Sequence, residues 1–422
     1  MTSSIGDSGE TLGATDLAVE HVGGVAGMLV RKILSPLKVG ALRIELPSGA
    51  KISHVGAKSG PHADIKLHNW RLIRRLALHG DIGLANSYVD GDWSCPDLTA
   101  LFELGLANSA PMMEAISGSA PFRAYNWLAH RLNANTRKGS RRNIEAHYDL
   151  GNEFYQLWLD SEMMYSSALY TSPNLTLEEA QAAKMRRIIE KLDLAGSPSV
   201  LEIGCGWGGL ANAIARHSNA QVTGVTISPS QLEIAAKLTR STALETRVDL
   251  RLQDYRDIEG RFDRIVSIEM IEAVGREFIP RYFETIRDKL QPGGLCLLQA
   301  ITIAEDRFAT YCKRPDFIQR YIFPGGFLPT KTLMRESIEK VGLKLGAVET
   351  FGASYALTLR EWRRRFVNAW PEIEKQGFKP SFKRLWEYYL GYCEAGFRSG
   401  AIDVGFYTLT TDSPGLLPTQ AT

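Results

Sequence analysis

The second half of the chain alternates short apolar segments with longer stretches rich in Ala, Lys, Arg and Glu. Apolar segments of strand length that alternate with helical stretches are typical of a parallel sheet covered by helices on both faces. The seven segments read SVLEIGC, QVTGVTIS, VDLRLQDY, FDRIVSIEM, GLCLLQAIT, LKLGAVETFG and DVGFYTLTT. A helical insertion, residues 358–399, separates the last two segments, which we expect to pair as neighbouring strands. The pattern predicts an α/β fold with a seven-stranded, Rossmann-like sheet.

A chain of 422 residues is too long for one compact core, so we expect a second, smaller domain. The runs ALRIELP, AKISHVG and ADIKLHN, followed by the helix-like LIRRLALHG, predict a small α+β domain near the N-terminus. The expected organisation is a disordered leader at 1–25, the α+β domain at 26–130, a basic linker at 131–145 and the main domain, with a helical lid, at 146–422.

Charge, cysteine content and hydropathy argue against several classes of protein. The net charge of +2 gives no overall case for nucleic acid binding. Five scattered cysteines without a CxxC pair argue against a disulfide framework and a structural metal site. No apolar run is long enough to cross a bilayer, and the N-terminus lacks the pattern of a secretory signal. We therefore expect a cytoplasmic protein without a bound metal.

One basic stretch leaves two interpretations open. Residues 131–142, RLNANTRKGSRR, carry five positive charges and no negative one, and the aromatic residues Phe122, Tyr125 and Trp127 precede them. Such a patch could contact anionic lipid headgroups at a membrane surface. It could equally be a solvated linker between the two domains.

A glycine-rich turn follows the first apolar segment of the main domain. The stretch VLEIGCGWGG, residues 200–209, places glycines where the chain would leave a strand and enter a helix, which is where open α/β sheets bind ligands. The next strand ends at Val225-Thr-Ile-Ser228 without an acidic residue, so a nicotinamide dinucleotide is disfavoured. The form ExGCGxGG instead resembles the first motif of S-adenosylmethionine-dependent methyltransferases.

Further motifs make this resemblance specific. The segments AHYDLGNEF, MMYSSALY, SIEMIEAVG, YIFPGGFLPT and FGASYALTLREW, with the glycine turn, resemble the cyclopropane-fatty-acyl-phospholipid synthase family, which includes mycolic acid cyclopropane synthases. The likeness covers roughly residues 145–411, and GDIGLANSYVDGDW extends it into the N-terminal domain, which also resembles lipid-carrier folds. It implies a class I methyltransferase domain that binds S-adenosylmethionine.

The resemblance also implies which residues bind this cofactor. Thr226 and Gln231 would lie beside the ribose, while Asp254 and Tyr255 would accept from the adenine amino group and stack on its ring. The full set of expected cofactor-binding residues is Tyr165, Ser166, Glu202, Gly204, Cys205, Gly206, Gly208, Thr226, Gln231, Asp254, Tyr255, Ile268, His147 and Tyr148.

The chemistry of the family requires a base. Methyl transfer to an alkene leaves a carbocation, which must then lose a proton. By resemblance the base is a bound bicarbonate, held by a Cys, a Glu, a His, an Ile and a Tyr. Glu272, Ile301 and Tyr355 match three of these positions, whereas Ser167 replaces the Cys and Gln299 replaces the His. Because Gln does not titrate, these two exchanges affect ring closure more than methyl transfer.

Cys393 matches another cysteine of the family, often labelled as an active-site residue. Alkene methylation needs no thiol, so a buried structural role is the competing interpretation for Cys393.

The expected function is methyl or methylene transfer from S-adenosylmethionine to the double bond of an unsaturated phospholipid acyl chain. The product would be a cyclopropane or a methyl- or methylene-branched chain. The expected partner is phospholipid at the inner face of the membrane, with peripheral association and with a homodimer as one option. Two alternatives stay open: a small-molecule amine N-methyltransferase and a catalytically silent lipid-binding relative.

Overall fold

The computed structural model describes residues 34–108, 150–313 and 315–411. The described chain divides into two compact units, one within Met1–Ser117 and the other within Gly118–Thr422. The expected leader at 1–25 and the basic linker at 131–145 lie outside the described residues, as do His147 and Tyr148.

The N-terminal unit contains a small mixed sheet with strand order β2-β1-β3-β4. Its strands are β1 (Val39–Glu45), β2 (Lys51–Val55), β3 (Lys58–Leu67) and β4 (Trp93–Ser94), and its helices are α1 (Arg71–Val89) and α2 (Leu98–Ala107). Strand β1 runs antiparallel to β2 and parallel to β3. Its alternating side chains Leu42 and Ile44 are buried, as the period of two in the sequence predicts. This arrangement is the small α+β fold that the sequence indicates.

The C-terminal unit is built on a seven-stranded sheet with order β10-β11-β9-β8-β5-β6-β7. The strands are β5 (Ser199–Ile203), β6 (Gln221–Thr226), β7 (Val248–Leu252), β8 (Phe262–Ile268), β9 (Leu290–Ile303), β10 (Lys344–Thr350) and β11 (Ile402–Thr410). Strands β5 to β9 are parallel, whereas β11 is antiparallel to both β9 and β10. All seven segments named from the sequence are therefore strands of one mostly parallel sheet.

Two helices precede the first strand of this sheet, and the others occupy the connections between its strands. They are α3 (Asn152–Gln156), α4 (Leu177–Leu192), α5 (Gly209–His217), α6 (Pro229–Ser241), α7 (Ile279–Lys289), α8 (Glu305–Tyr311), α9 (Lys331–Lys340), α10 (Gly352–Lys375) and α11 (Pro380–Arg398). Helix α4 begins with a reciprocal capping box between Thr176 and Glu179, which satisfies backbone donors that a helix start leaves unpaired. Short 3-10 turns cover Tyr255–Asp257, Ile271–Ala273 and Arg276–Phe278, and a π-helical turn covers Ile318–Ile322.

The predicted helical insertion between the last two strands consists of α10 and α11. It begins at Gly352 rather than at the predicted residue 358, because strand β10 ends at Thr350. The Gly352 amide donates to Asp403 Oδ1 at 3.1 Å, which fixes the helix start against β11. The insertion is therefore anchored next to the sheet edge from which it departs.

The sheet core is apolar, and its parallel strands all end at the same edge. Side chains such as Leu201, Ile265 and Leu298 have no more than 1% of their surface exposed, so β5, β8 and β9 are covered on both faces. The loops after β5, β6, β7 and β8 therefore emerge side by side, which is where such sheets bind ligands. Within the described residues no helix is both long and apolar enough to cross a membrane.

Candidate active site

The glycine-rich turn leaves β5 at this edge with an accessible backbone. Gly204, Gly206 and Gly208 have φ angles of +84°, +52° and +83°, which glycine adopts without the steric cost that a side chain brings. Amides of Gly204 and Cys205 donate to the Val225 carbonyl at 2.9 and 3.0 Å, which ties the turn to β6. An added Cβ at Gly206 would meet no protein atom within 4 Å. The turn thus borders open space into which a ligand can enter.

The residues after β6 and β7 reach the same edge. Thr226 Oγ1 lies 3.1 Å from Gln231 Oε1, so the Gln231 carbonyl is occupied and its amide nitrogen is the group left for a ligand. Both Asp254 oxygens accept from Arg256, at 2.8 and 2.6 Å. Asp254 is therefore held in place by a neighbour at the edge where the adenine is expected.

The expected aromatic partner of the adenine is supported from behind. The Tyr255 ring packs edge-on against Tyr282, with ring centroids 5.6 Å apart, and burial raises the pKa of the Tyr255 hydroxyl to about 12. Tyr255 therefore presents a fixed, neutral ring.

The segment around Tyr165 crosses the site between α3 and α4. Its backbone carbonyls at Met164 and Ser166 accept from Gln181 Nε2, at 3.2 and 3.0 Å. The amide of Ala168 donates to Thr358 Oγ1 on α10 at 3.1 Å. Side chains from two helices therefore fix the course of this segment, although it has no regular secondary structure.

A carboxylate lies at the centre of the predicted base site. Glu269 follows directly after β8, and its Oε1 accepts from the Ser167 amide at 2.8 Å and from Gln299 Nε2 at 2.7 Å. Its Oε2 accepts from the Tyr355 hydroxyl at 2.7 Å. Three residues that sequence comparison assigned to a bound bicarbonate therefore converge on a side chain of this protein.

Glu272 and Ile301, the other two predicted base-site residues, meet each other next to this cluster. Glu272 lies in the 3-10 turn after β8, and its Oε1 accepts from the Ile301 amide at 2.5 Å. Its Oε2 is buried and has no hydrogen-bond partner among the described residues. Burial and the nearby Glu269 charge raise the pKa of Glu272 to about 8.

Lys184 supplies the positive charge of this region. Its ammonium group is fully buried on α4 and donates to Ser166 Oγ at 2.6 Å. Burial lowers the pKa of Lys184 to about 8, against the opposing effects of Glu269, Asp160 and Glu202. Burial raises the pKa of Glu269, and the Tyr355, Ser167 and Gln299 hydrogen bonds and the Lys184 charge act in the opposite direction.

Aromatic side chains from α10, from α11 and from the segment around Tyr165 pack together beside the carboxylate cluster. The Tyr355 ring stacks on Phe397 with centroids 4.4 Å apart, and the Tyr165 ring packs against Trp362 at 5.3 Å. The Tyr165 hydroxyl meets the Tyr389 hydroxyl at 3.0 Å. These rings form a mostly apolar wall that also carries the hydroxyl groups of Tyr355, Tyr165 and Tyr389. Such a wall suits a long hydrocarbon chain, and its π faces suit a transient positive charge.

Cys393 lies on α11, among this set of aromatic residues. Burial raises the pKa of its thiol, with Asp316 adding to the effect. A thiol that stays protonated is a poor nucleophile. The structure therefore favours the structural interpretation of Cys393.

Comparison with known proteins identifies the class. The parallel sheet, the glycine turn and the ligand edge are those of a class I S-adenosylmethionine-dependent methyltransferase. A crystal structure of mycolic acid cyclopropane synthase complexed with SAH and CTAB superposes with a TM-score of 0.60 and 29% identity, covering 64% of this chain and 97% of that one.

The sequence comparisons define the family. The family model described as mycolic acid cyclopropane synthetase matches residues 135–406, and the chain belongs to this family. The chain is 39% identical over 357 residues to a tuberculostearic acid methyltransferase of Mycobacterium tuberculosis, covering 81% of this chain and 82% of that protein. It is 37% identical over 364 residues to the cyclopropane-fatty-acyl-phospholipid synthase of Escherichia coli strain K12, covering 85% and 90%.

The residues at the ligand edge suit S-adenosylmethionine. The open space beside Gly206 gives room for the methionine part, and the Gln231 amide can donate to a ribose hydroxyl. When bound, this cofactor supplies the activated methyl group. The turn after β5 and the loops after β6 and β7 would hold it in place.

The structure brings together two residues that sequence reasoning left out. Glu269 belongs to the segment SIEMIEAVG, in which the family pattern assigns the base-site position to Glu272. Lys184 was part of TLEEAQAAKMRRI, where a lysine on an amphipathic helix is normally solvent-exposed. The sequence feature that indicates a functional role for Glu269 is its position directly after a buried parallel strand, because ligands bind at the carboxyl ends of such strands.

Proposed function

We propose that the protein transfers a methyl or methylene group from S-adenosylmethionine to the double bond of an unsaturated phospholipid acyl chain. The product is a cyclopropane or a methyl- or methylene-branched chain. The observation that carries the proposal is the cluster of Glu269, Glu272 and Tyr355. Met270, between the two glutamates, packs against Gly204 of the glycine-rich turn, and the Tyr355 ring stacks on Phe397. An alkene is a weak nucleophile and needs such a dry, closely positioned site.

The protein groups have distinct tasks in this reaction. The aromatic wall of α10 and α11 holds the acyl chain and excludes water, and its π faces stabilise the carbocation left by methyl transfer. The carboxylate cluster adds negative charge near that cation and receives the proton that the chain must lose. Tyr355 keeps the cluster oriented by donating to Glu269.

The relatives support an acyl chain as substrate. Two of them are named a tuberculostearic acid methyltransferase and a cyclopropane-fatty-acyl-phospholipid synthase, and both match more than four fifths of this chain. A phospholipid substrate requires contact with a bilayer, so we also propose peripheral association with the inner face of the membrane. A homodimer and the lipid-carrier likeness of the N-terminal unit stay predictions.

The proposal is tested with purified protein, methyl-labelled S-adenosylmethionine and vesicles of a monounsaturated phospholipid. Mass spectrometry of the released fatty acids should show a gain of one methylene group, and hydrogenation separates a ring, which persists, from a methylene branch, which is reduced. Saturated phospholipid vesicles are the matched control and should take up no label. Binding of the cofactor without any label in the lipid would contradict the proposal and would direct attention to amine substrates or to silent lipid binding.

A further inference from the structure

Glu269 occupies a position surrounded by hydrogen-bond donors. The Ser167 amide, the Gln299 amide nitrogen and the Tyr355 hydroxyl all donate to its two oxygens, at 2.7 to 2.8 Å. The Gln299 carbonyl oxygen has no partner among the described residues, so this side chain serves the site as a donor. A set of donors without an acceptor is suited to an anion. In this protein the anion is a covalently attached carboxylate.

The backbone at Glu269 is in an unfavourable conformation. Its φ angle is +49°, in the left-handed region that glycine enters freely and that other residues enter at a cost of about 1 kcal/mol or more. Such a conformation persists where the surrounding structure over-determines it, and it is commonest at functional sites. A glycine at this position would relieve the strain but would remove the carboxylate. The strained glutamate is therefore evidence that the side chain is needed.

The charges around Glu269 favour its ionised form. Lys184 acts as the nearby cation, while Glu272, the other carboxyl group of the cluster, has its pKa raised to about 8 partly by the Glu269 charge. Glu272 is therefore mostly protonated near pH 7, whereas the three donors and the Lys184 charge favour the ionised form of Glu269. Burial still raises the pKa of Glu269 above its ordinary value, which makes it a stronger proton acceptor than an exposed carboxylate. Glu269 as a residue is half-buried.

We propose that the Glu269 carboxylate is the base of the reaction and takes the place of the bicarbonate expected from the family. This inference rests on the proposed function. After methyl transfer to the alkene, a C–H bond of the methylated chain breaks and its electron pair forms either the new C–C bond of a ring or a C=C bond. The proton passes to a Glu269 oxygen, so the positive charge of the methyl donor is balanced by neutralisation of the carboxylate. The protonated Glu269 then releases its proton to solvent before the next turnover.

The proposal predicts independence from bicarbonate. Wild-type protein should have the same kcat in buffer depleted of carbon dioxide and in buffer with added bicarbonate. Glu269→Gln, which keeps the size of the side chain but cannot accept the proton, should lose roughly 100-fold or more in kcat. Its affinity for SAH, measured by calorimetry, should be unchanged, which also shows that the variant is folded.

Glu269→Gly provides a rescue experiment. The substitution removes the carboxylate, relieves the positive φ angle and leaves the Ser167, Gln299 and Tyr355 donors around an anion-sized space. Its activity should be lost in depleted buffer and partly restored by added bicarbonate. Ala243→Gly is the matched backbone control, because Ala243 also has a positive φ angle, +53°, but is exposed at the end of α6. Ala243→Gly should keep wild-type activity and show no response to bicarbonate.

Four results separate the inference from the proposed function. A wild-type protein that needs bicarbonate, or a Glu269→Gln variant that loses less than Glu272→Gln, would overturn the role of Glu269 while leaving lipid methylation intact. A Glu269→Gly variant with no response to bicarbonate would overturn the view that these donors form an anion site. If the wild-type protein binds SAH but labels no lipid in either buffer, the proposed function itself fails.

Discussion

Lys184 places a fully buried ammonium group among the carboxyl groups of Glu269, Asp160 and Glu202. Replacing it with Met keeps the length of the side chain and removes the charge. Removing one partner of a buried ion pair typically lowers the free energy of unfolding by about 3–5 kcal/mol, because the remaining charge is left without a partner. Glu202, whose pKa is raised to about 8, is already neutral near pH 7, so only part of this cost applies. We expect Lys184→Met to destabilise the protein by about 3 kcal/mol at pH 7.

Urea unfolding followed by tryptophan fluorescence measures this change as a shift of the midpoint. Lys191→Met is the matched control, since Lys191 lies on the same helix and pairs with the partly exposed Glu349 at 2.7 Å. A pair near the surface contributes about 1 kcal/mol or less. The double variant Lys184→Met/Glu269→Gln should be more stable than the sum of the two single changes predicts, because it removes both charges together. Equal shifts for Lys184→Met and Lys191→Met would refute the reasoning.

Three further predictions concern the hydroxyl donor, the glycine turn and a buried acid. Tyr355→Phe removes the 2.7 Å hydrogen bond to Glu269 and should lower kcat roughly 10-fold or more at unchanged SAH affinity, as steady-state kinetics and calorimetry would reveal. Gly206→Val should abolish SAH binding, because the new side chain would fill the space assigned to the cofactor. Gly260→Val is the control: its position is similarly open, with φ of +80°, so this variant should have a strained backbone but keep SAH binding. Retained SAH binding in Gly206→Val would contradict the assigned cofactor space. Burial raises the pKa of Glu202 from 4.5 to about 8. Its contribution to the free energy of unfolding is therefore fully present below about pH 4.5 and is lost as the pH rises through about 8. The lost contribution amounts to at most about 5 kcal/mol. Glu202→Gln should lack that loss, so its melting temperature should fall less than that of the wild type between about pH 5 and pH 8.

The central strands of the C-terminal sheet were predictable because their own apolar residues bury them, whereas β7 and β10 at the edges are mostly exposed. SVLEI is almost completely buried, and Phe262, Ile265 and Val266 of FDRIVSI are buried, so the local sequence pattern and the position in the fold agree. The start of α10 was less predictable. Residues FGASYA have no strong helix signal of their own, and the helix begins at Gly352 because its amide meets Asp403 on β11, fifty-one residues later in the chain. Such a long-range contact leaves no local trace.

The candidate base site illustrates a different limit of sequence reasoning. The exchanges at Ser167 and Gln299 look like losses when each position is compared with the family separately. Both residues nevertheless donate hydrogen bonds to Glu269, Ser167 through its backbone amide and Gln299 through its side-chain amide. Neither contact needs a thiol or an imidazole. A fixed carboxylate carries the charge that a diffusible anion would otherwise bring, and it needs no concentration of that anion to be present. The Gln299 exchange therefore fits the proposed role of Glu269, because its side chain donates to that carboxylate, and the Ser167 exchange leaves the backbone donor in place.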